Sequence, residues 1–252
     1  MISLKSYTAP ADLLKDKIIL VTGAGSGIGR TASLTYAKHG ATVVLVGRTM
    51  ESLESAYDEI EANGGAQPAI FPMNFESAVE HDYQALYEAV NETFGRLDGL
   101  LNNASELGSP GTLLSSYSLA QWNKVMQVNL TASFMMTKTL LPLLRHDKPS
   151  SIIFTSSSVG RKGRAYWGAY AVSKGATENL MQVFADELEG VSKVRVNSIN
   201  PGATRSKMRA KAYPAEDPMT LPAPEDIMGM YLYLMGEDSE ACHGQQLDAQ
   251  AK

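Results

Sequence analysis

Six short runs rich in β-branched and aliphatic residues recur along the chain: IILVT at 18–22, TVVLV at 42–46, AIFPM at 69–73, LDGLLN at 97–102, SIIFT at 151–155 and VRVNSI at 194–199. Each is apolar at odd and even positions alike. A strand of that kind must be covered on both faces, which is the environment of a parallel sheet sandwiched by helices and not of a half-wet antiparallel sheet. The intervening segments have helical patterning: Ile28 to His39, Glu51 to Asn63, Asp82 to Phe94, Leu119 to Arg145 and Tyr166 to Glu189. Strict alternation of this sort predicts a Rossmann-type α/β fold, a right-handed, doubly wound parallel sheet flanked by helices on both faces.

At 252 residues the chain suits one large α/β domain. The reading is a single domain over 1–252. No internal repeat, low-complexity tract or linker interrupts the alternation. Its rhythm breaks at 204–224, which carries Pro214, Pro218 and Pro222, before a short helical DIMGMYLYLMG and a last strand-like QQLDA. A long irregular insertion in a compact domain is commonly an active-site cover, and 204–224 is read as a substrate lid.

Directly after the first strand comes TGAGSGIGR, with Gly23, Gly25, Ser26, Gly27, Ile28 and Gly29 leading into a helix. Glycines there permit a tight turn and close approach of backbone N–H groups to a phosphate, with a pyrophosphate at the helix N-terminus. A nucleoside-triphosphate loop would need glycine five residues before Gly29 and lysine after it, but Ala24 and Arg30 stand there. A G-x-S-x-G hydrolase elbow is absent from the sequence.

The stretch GAYAVSK at 168–174 sets Tyr170 and Lys174 four residues apart in a helical context, so both project from one helix face. A phenol normally titrates near pH ~10. A cation about 4 Å away would favour the phenolate by up to about 4 kcal/mol, roughly three pH units, and so bring the phenol into acid–base range.

Composition excludes several other classes. A net charge of −5 offers no basic stripe for nucleic acid. The small basic patch Arg161-Lys162-Gly163-Arg164 reads as a solvated loop. His39, His81, His146 and His243 are scattered without metal-ligand spacing, so no metal is expected. The single cysteine, Cys242, suits a reducing compartment. The N-terminal MISLKSYTAPADLLKDK has no apolar export segment, and Leu130 to Leu144 is interrupted by polar residues and too short to span a membrane. The expectation is a cytoplasmic protein with neither membrane nor nucleic-acid partner.

Taken in order and spacing, Thr22-Gly23-x-x-x-Gly27-x-Gly29, Asn102-Asn103-Ala104, Asn129 in VMQVNL, Ser157 in FTSSSVG, Tyr170-x-x-x-Lys174 and Asn200-Pro201-Gly202 resemble the short-chain dehydrogenase/reductase superfamily, in its compact single-domain branch. The phrases FTSSSVGRKGRAYWGAYAVSKGATE and INPGATRSKMRA resemble its YciK-type oxidoreductases. The resemblance implies an oxidoreductase that interconverts a small-molecule carbonyl and alcohol. Tyr170 would be the proton donor or acceptor, and Lys174 would lower its pKa and bind the nicotinamide ribose. Ser157 would bond the substrate oxygen, and Asn129 would hold a water linking Lys174 to solvent. The same resemblance lays the cofactor against Asn74 and Phe75, Asn103 and Ala104, and Pro201, Gly202 and Thr204. It also implies a homodimer or homotetramer, with helices around 119–145 and 166–189 as contacts.

Three positions depart from the family pattern: Ser105 replaces a common glycine, Asn74 an aspartate, and HGQQLDAQ lacks a terminal glycine pair. Pocket candidates are Glu106, Leu107, Trp167, Ala203 and Met208, with Tyr166 as pocket wall or packing. In VVLVGRT, Gly47 takes the place of the acidic residue that binds the ribose hydroxyls in NAD-specific relatives, and Arg48 follows it. This favours NADP over NAD. Two other functions fit the same fold: a catalytically idle cofactor-binding regulator, and an epimerase or dehydratase with retained cofactor. The four-residue catalytic set argues against the first, and the short chain against the second.

Overall fold

The computed structural model describes residues 7–250; Met1 to Ser6, part of the N-terminal stretch read for export signals, and the last two residues lie outside it. The strands are β1 (Ile18–Thr22), β2 (Thr42–Gly47), β3 (Ala69–Pro72), β4 (Gly99–Asn102), β5 (Ser150–Thr155), β6 (Val194–Asn200) and β7 (Gln246–Asp248). They form one parallel sheet in the order β3-β2-β1-β4-β5-β6-β7. The order reverses direction between β1 and β4, which opens a crevice at the carboxyl ends of those two strands, where open α/β sheets bind ligands.

The helices are α1 (Gly27–Lys38), α2 (Met50–Ala62), α3 (Glu80–Phe94), α4 (Leu119–Met126), α5 (Ala132–Leu144), α6 (Ser158–Arg161), α7 (Gly168–Leu188), α8 (Lys207–Ala212) and α9 (Met228–Met235). The alternate residues of each strand divide between two apolar layers. Ile19 and Val21 of β1, Val43 and Leu45 of β2 and Leu101 of β4 pack with α1, α2 and α9 around Tyr36 and Tyr231. Ile18 and Leu20, Val44 and Val46, Leu100 and Ile152 pack on the other face with α3, α5 and α7. This is why the strand runs are apolar at every position. Edge strand β3 is only half-buried.

Two segments differ from the sequence expectation. The single helix expected over Leu119 to Arg145 is interrupted by a π-helical turn at Gln127–Thr131. Segment 204–224 is not featureless: it contains α8 and is braced internally. Arg205 N donates to Pro222 O at 2.9 Å, Arg205 Nε donates to Pro218 O at 3.1 Å, and Arg209 pairs with Glu216. Among the described residues no helix is long and apolar enough to cross a membrane.

Candidate functional site

The site grows from the end of β1. Thr22 Oγ1 donates to Leu101 O at 3.3 Å and accepts from Asn103 N and Ala104 N at 2.9 and 3.0 Å, while Asn103 Nδ2 donates to Thr22 O at 3.2 Å. These bonds lock the turn after β1 to the turn after β4. Gly23 has φ 70°, in the left-handed region that favours glycine, and a β-carbon on Gly29 would run into Gly23 O. The chain can therefore enter α1 with its backbone bare, and Ser26 precedes the helix as its N-cap.

The turn opens onto a cavity of about 690 Å³, within the range for a cofactor or small-molecule site. Gly23, Gly25, Ser26, Gly27 and Ile28 line one wall. Arg48, Asn74 and Phe75 come from the ends of β2 and β3. Asn103, Ala104 and Pro201 continue the wall, and Tyr170 and Lys174 close it. Gly29 stands behind the turn. Gly202, at φ 75°, shapes the loop after β6. Thr204 is buried behind that loop and does not line the cavity; its hydroxyl donates to Pro201 O at 3.2 Å and accepts from Gln250 Nε2 at 3.2 Å. Ser156 lines the cavity too, and its buried Oγ has no hydrogen-bonding partner among the described residues. A bare glycine cradle, an orphaned buried hydroxyl and a free-standing cationic wall residue fit a phosphorylated dinucleotide.

At the floor, Lys174 Nζ donates to Thr155 O at 2.7 Å and stands 5.7 Å from the centroid of the Tyr170 ring. Both side chains are buried. The lowered phenol expected from the sequence is not found. Burial pushes Tyr170 up to about 12, against the influence of the nearby Ser157 and Ser105 hydroxyls, which pull it down. Burial likewise brings Lys174 down to about 8, opposed by the charge of Glu178 one helical turn on. Desolvation of the pair outweighs the attraction on which the sequence argument rested.

Asn129 sits in the π-helical turn, 1% exposed. Its Oδ1 accepts from Glu106 N at 2.7 Å and Ser105 Oγ at 3.2 Å; its Nδ2 donates to Glu106 O at 3.0 Å and Ser173 Oγ at 2.9 Å. Its backbone carbonyl accepts from Ser133 Oγ at 3.0 Å. The side chain thus ties β4's outgoing loop to α7.

On the open side, Trp167 stacks obliquely between Tyr170 and Tyr213, with centroids 5.7 and 5.9 Å apart. Leu107, Val159, Met208 and Ala212 complete this apolar wall. Tyr166 is instead exposed, with φ 70°. A β-carbon on Gly27 would come within 4.0 Å of Ser206 Cβ, so the start of 204–224 stands over the glycine turn.

Sequence reasoning missed Lys124 and Lys207, which line the cavity. Lys124 pairs with Glu76 at 2.7 Å. Neither belongs to a recognisable motif. The patch at 161–164 was also misread at its first residue. Arg161 Nε donates to Glu178 Oε1 at 3.0 Å and Nη1 to Asp248 Oδ1 at 2.8 Å, because α6 lies flush on α7. Among the described residues no group of three or more His, Cys, Asp or Glu side chains converges.

Comparison with known proteins agrees with this geometry. The family model described as short chain dehydrogenase matches residues 17–217. The oxidoreductase YciK of Escherichia coli (strain K12) is 50% identical over 244 residues, 97% of this chain and 96% of that one. A short chain dehydrogenase structure from Pseudomonas syringae superposes with a TM-score of 0.95 at 57% identity, covering 97% of this chain and 99% of that one. Another, from Escherichia coli CFT073 complexed with NADPH, superposes at 0.93 with 50% identity, covering 96% and 100%. The glycine turn, the parallel sheet and these matches lead to one assignment: the chain belongs to the short chain dehydrogenase family.

Proposed function

We propose that this oxidoreductase is NADP(H)-dependent and interconverts a carbonyl and an alcohol by hydride transfer, with Tyr170 as general acid/base. The observation that carries the reading is that Tyr170 and Lys174 line the same cavity as the glycine turn, with Ser105 and Ser156 in its lining too. The bound nicotinamide supplies the hydride. What the chain must supply is a proton at oxygen.

In reduction, the Tyr170 hydroxyl gives its proton to the substrate oxygen, and in oxidation the phenolate takes it back. Ser157 holds the substrate oxygen beside the phenol. Lys174, anchored on Thr155 O, presents its charge to the phenolate and to the cofactor ribose. Asn129 fixes the loop that carries Ser105 and Glu106. Trp167 and Met208 exclude water from the reacting centre.

Arg48 supports NADP over NAD: it is exposed at the cavity wall directly after β2, where no carboxylate precedes it to repel a 2′-phosphate. The relative that crystallised with NADPH, half identical to this chain, supports the same choice. Gly23, Gly25, Ser26, Gly27, Ile28 and Gly29 would receive the pyrophosphate. Asn74 and Phe75 would flank the adenine, and Asn103, Ala104, Pro201, Gly202 and Thr204 the nicotinamide half.

The single domain, with 204–224 as the substrate lid, belongs to this reading. So does a cytoplasmic homodimer or homotetramer, supported by the lone Cys242 and by exposed Phe134 on α5 and Val172 and Val183 on α7. The test is NADPH consumption across a panel of aldehydes and ketones, with Tyr170→Phe run beside the wild type. Turnover that survives the substitution would overturn the acid–base role.

A further inference from the structure

Strand β7 pairs with the end of β6 as far as Asn200. Ala249 N donates to Asn200 O at 2.9 Å, and Asp248 Oδ1 accepts from Asn200 Nδ2 at 2.9 Å. Past Asn200 the strand ladder stops, and the loop at 201–204 is held by one side chain. Gln250 Nε2 donates to Pro201 O and to Ala203 O, both at 2.9 Å, and lies 3.2 Å from Thr204 Oγ1. Backbone carbonyls only accept, so the atom facing them is the amide nitrogen, and both of its hydrogens are in use. A β-carbon on Gly202 would stand 2.8 Å from Gln250 Cδ and Nε2, so the amide fits there because that residue, at φ 75°, is glycine.

The loop that Gln250 holds leads straight into the cavity wall. Pro201 lines the cavity together with Tyr170 and Lys174, and the chain then passes through Thr204 into Ser206, Lys207 and Met208, which line it too. The far end of segment 204–224 is tied back to the same root, where Arg205 N donates to Pro222 O at 2.9 Å. Two carbonyls bonded to one planar amide fix the orientation of the Pro201 and Ala203 peptides, and with them the point from which that segment starts.

We propose that Gln250 is a positioning residue for the cofactor: by holding Pro201, Ala203 and Thr204 it sets the wall against which the nicotinamide half of NADP(H) lies. This rests on the cofactor placement proposed above and names what fixes one side of it. Gln250 does not itself line the cavity, so it acts through the loop. The adenosine half belongs to Arg48, Asn74 and Phe75 at the ends of β2 and β3, and the sheet order puts those strands at the edge opposite β6 and β7. Loss of the amide donors therefore acts on one half of the cofactor and spares the other.

The test is titration of Gln250→Met and Gln250→Glu, which keep the length of the side chain and lose its donors. The two ligands are NADPH and adenosine 2′,5′-bisphosphate, which has the adenosine half alone. NADPH affinity is expected to fall about tenfold or more in both variants, the effect of two lost hydrogen bonds, while affinity for the bisphosphate keeps its wild-type value. The bisphosphate thus reports that the variants are folded. NADPH affinity unchanged in both variants overturns the proposal, and so does a loss of one common factor for both ligands, which a general weakening of the fold would produce. The readout needs no turnover and leaves the acid–base role of Tyr170 to its own test. A wild type that binds the bisphosphate as tightly as NADPH would overturn the placement of the nicotinamide half, and the role of Gln250 with it.

Discussion

The side chain of Asn129 closes a two-bond pair with the backbone of Glu106, at 2.7 and 3.0 Å, and spends its remaining N–H on Ser173 Oγ at 2.9 Å. Asn129→Ala would leave Glu106 N, Glu106 O and Ser173 without their partner in a nearly dry site. An unsatisfied buried group costs about 1 to 3 kcal/mol. Chemical denaturation is expected to show a loss in that range or somewhat above it, together with reduced turnover as the loop bearing Ser105 loosens. Wild-type stability in this variant would contradict the clamp.

Arg161 joins Glu178 to Asp248, and Glu178 also accepts from the Ser198 hydroxyl. Glu178 is 4% exposed. Removing one partner of a buried ion pair leaves an uncompensated charge, so Arg161→Ala is expected to cost roughly 2 to 4 kcal/mol, discounted for the arginine's partial exposure. Glu178→Gln is expected to move Lys174 further down, because the carboxylate opposes the effect of burial. The alkaline loss of activity would then begin at lower pH, which a pH profile of turnover reads.

Lys174 also sets a pH dependence of stability. Burial holds it at about 8, against 10.5 in an unfolded chain. Between those values the unfolded chain binds a proton that the folded chain does not, so stability rises with pH across the window, by about 3 kcal/mol at most through this group. Tyr170, held near 12 against 10.0, has the opposite sign: above pH 10 the folded state keeps a proton that the unfolded chain loses, and stability falls. Denaturation of the cofactor-free protein at pH 8 and 10 is expected to show the rise, and Lys174→Met to abolish it.

Cofactor choice rests on Arg48. A charge-assisted bond to a 2′-phosphate contributes about 1.5 to 3 kcal/mol, so NADPH is expected to bind roughly 10- to 100-fold more tightly than NADH, with most of that difference lost in Arg48→Ala. Fluorescence titration of both reduced cofactors decides it: equal affinities in the wild type would contradict the assignment.

The strands and the glycine turn were legible in the sequence because their constraints are local. A strand covered on both faces must be apolar at every position, as Ile18, Ile19, Leu20 and Val21 are. Gly23 takes a left-handed φ of 70°, and at Gly29 the backbone leaves no room for a side chain. What was not legible depends on contacts between distant segments. VMQVNL contains no proline or glycine to mark the π-helical turn, which holds Asn129 against 105–106 and Ser173. Arg161 reads as a loop cation until β7, 87 residues later, brings Asp248 to it. The tyrosine and lysine spacing placed both groups on one face of α7, but no spacing reveals how deeply that face is buried, and burial is what raises the phenol.

The central claim is that Tyr170 moves the proton. Tyr170→Phe keeps the ring that packs 5.7 Å from Trp167 and removes only the hydroxyl. The decisive measurement is NADPH affinity and turnover in this variant beside the wild type, with a carbonyl that the wild type reduces. The expected result is unchanged affinity with turnover lower by about 10²-fold or more; turnover equal to the wild type would contradict the account.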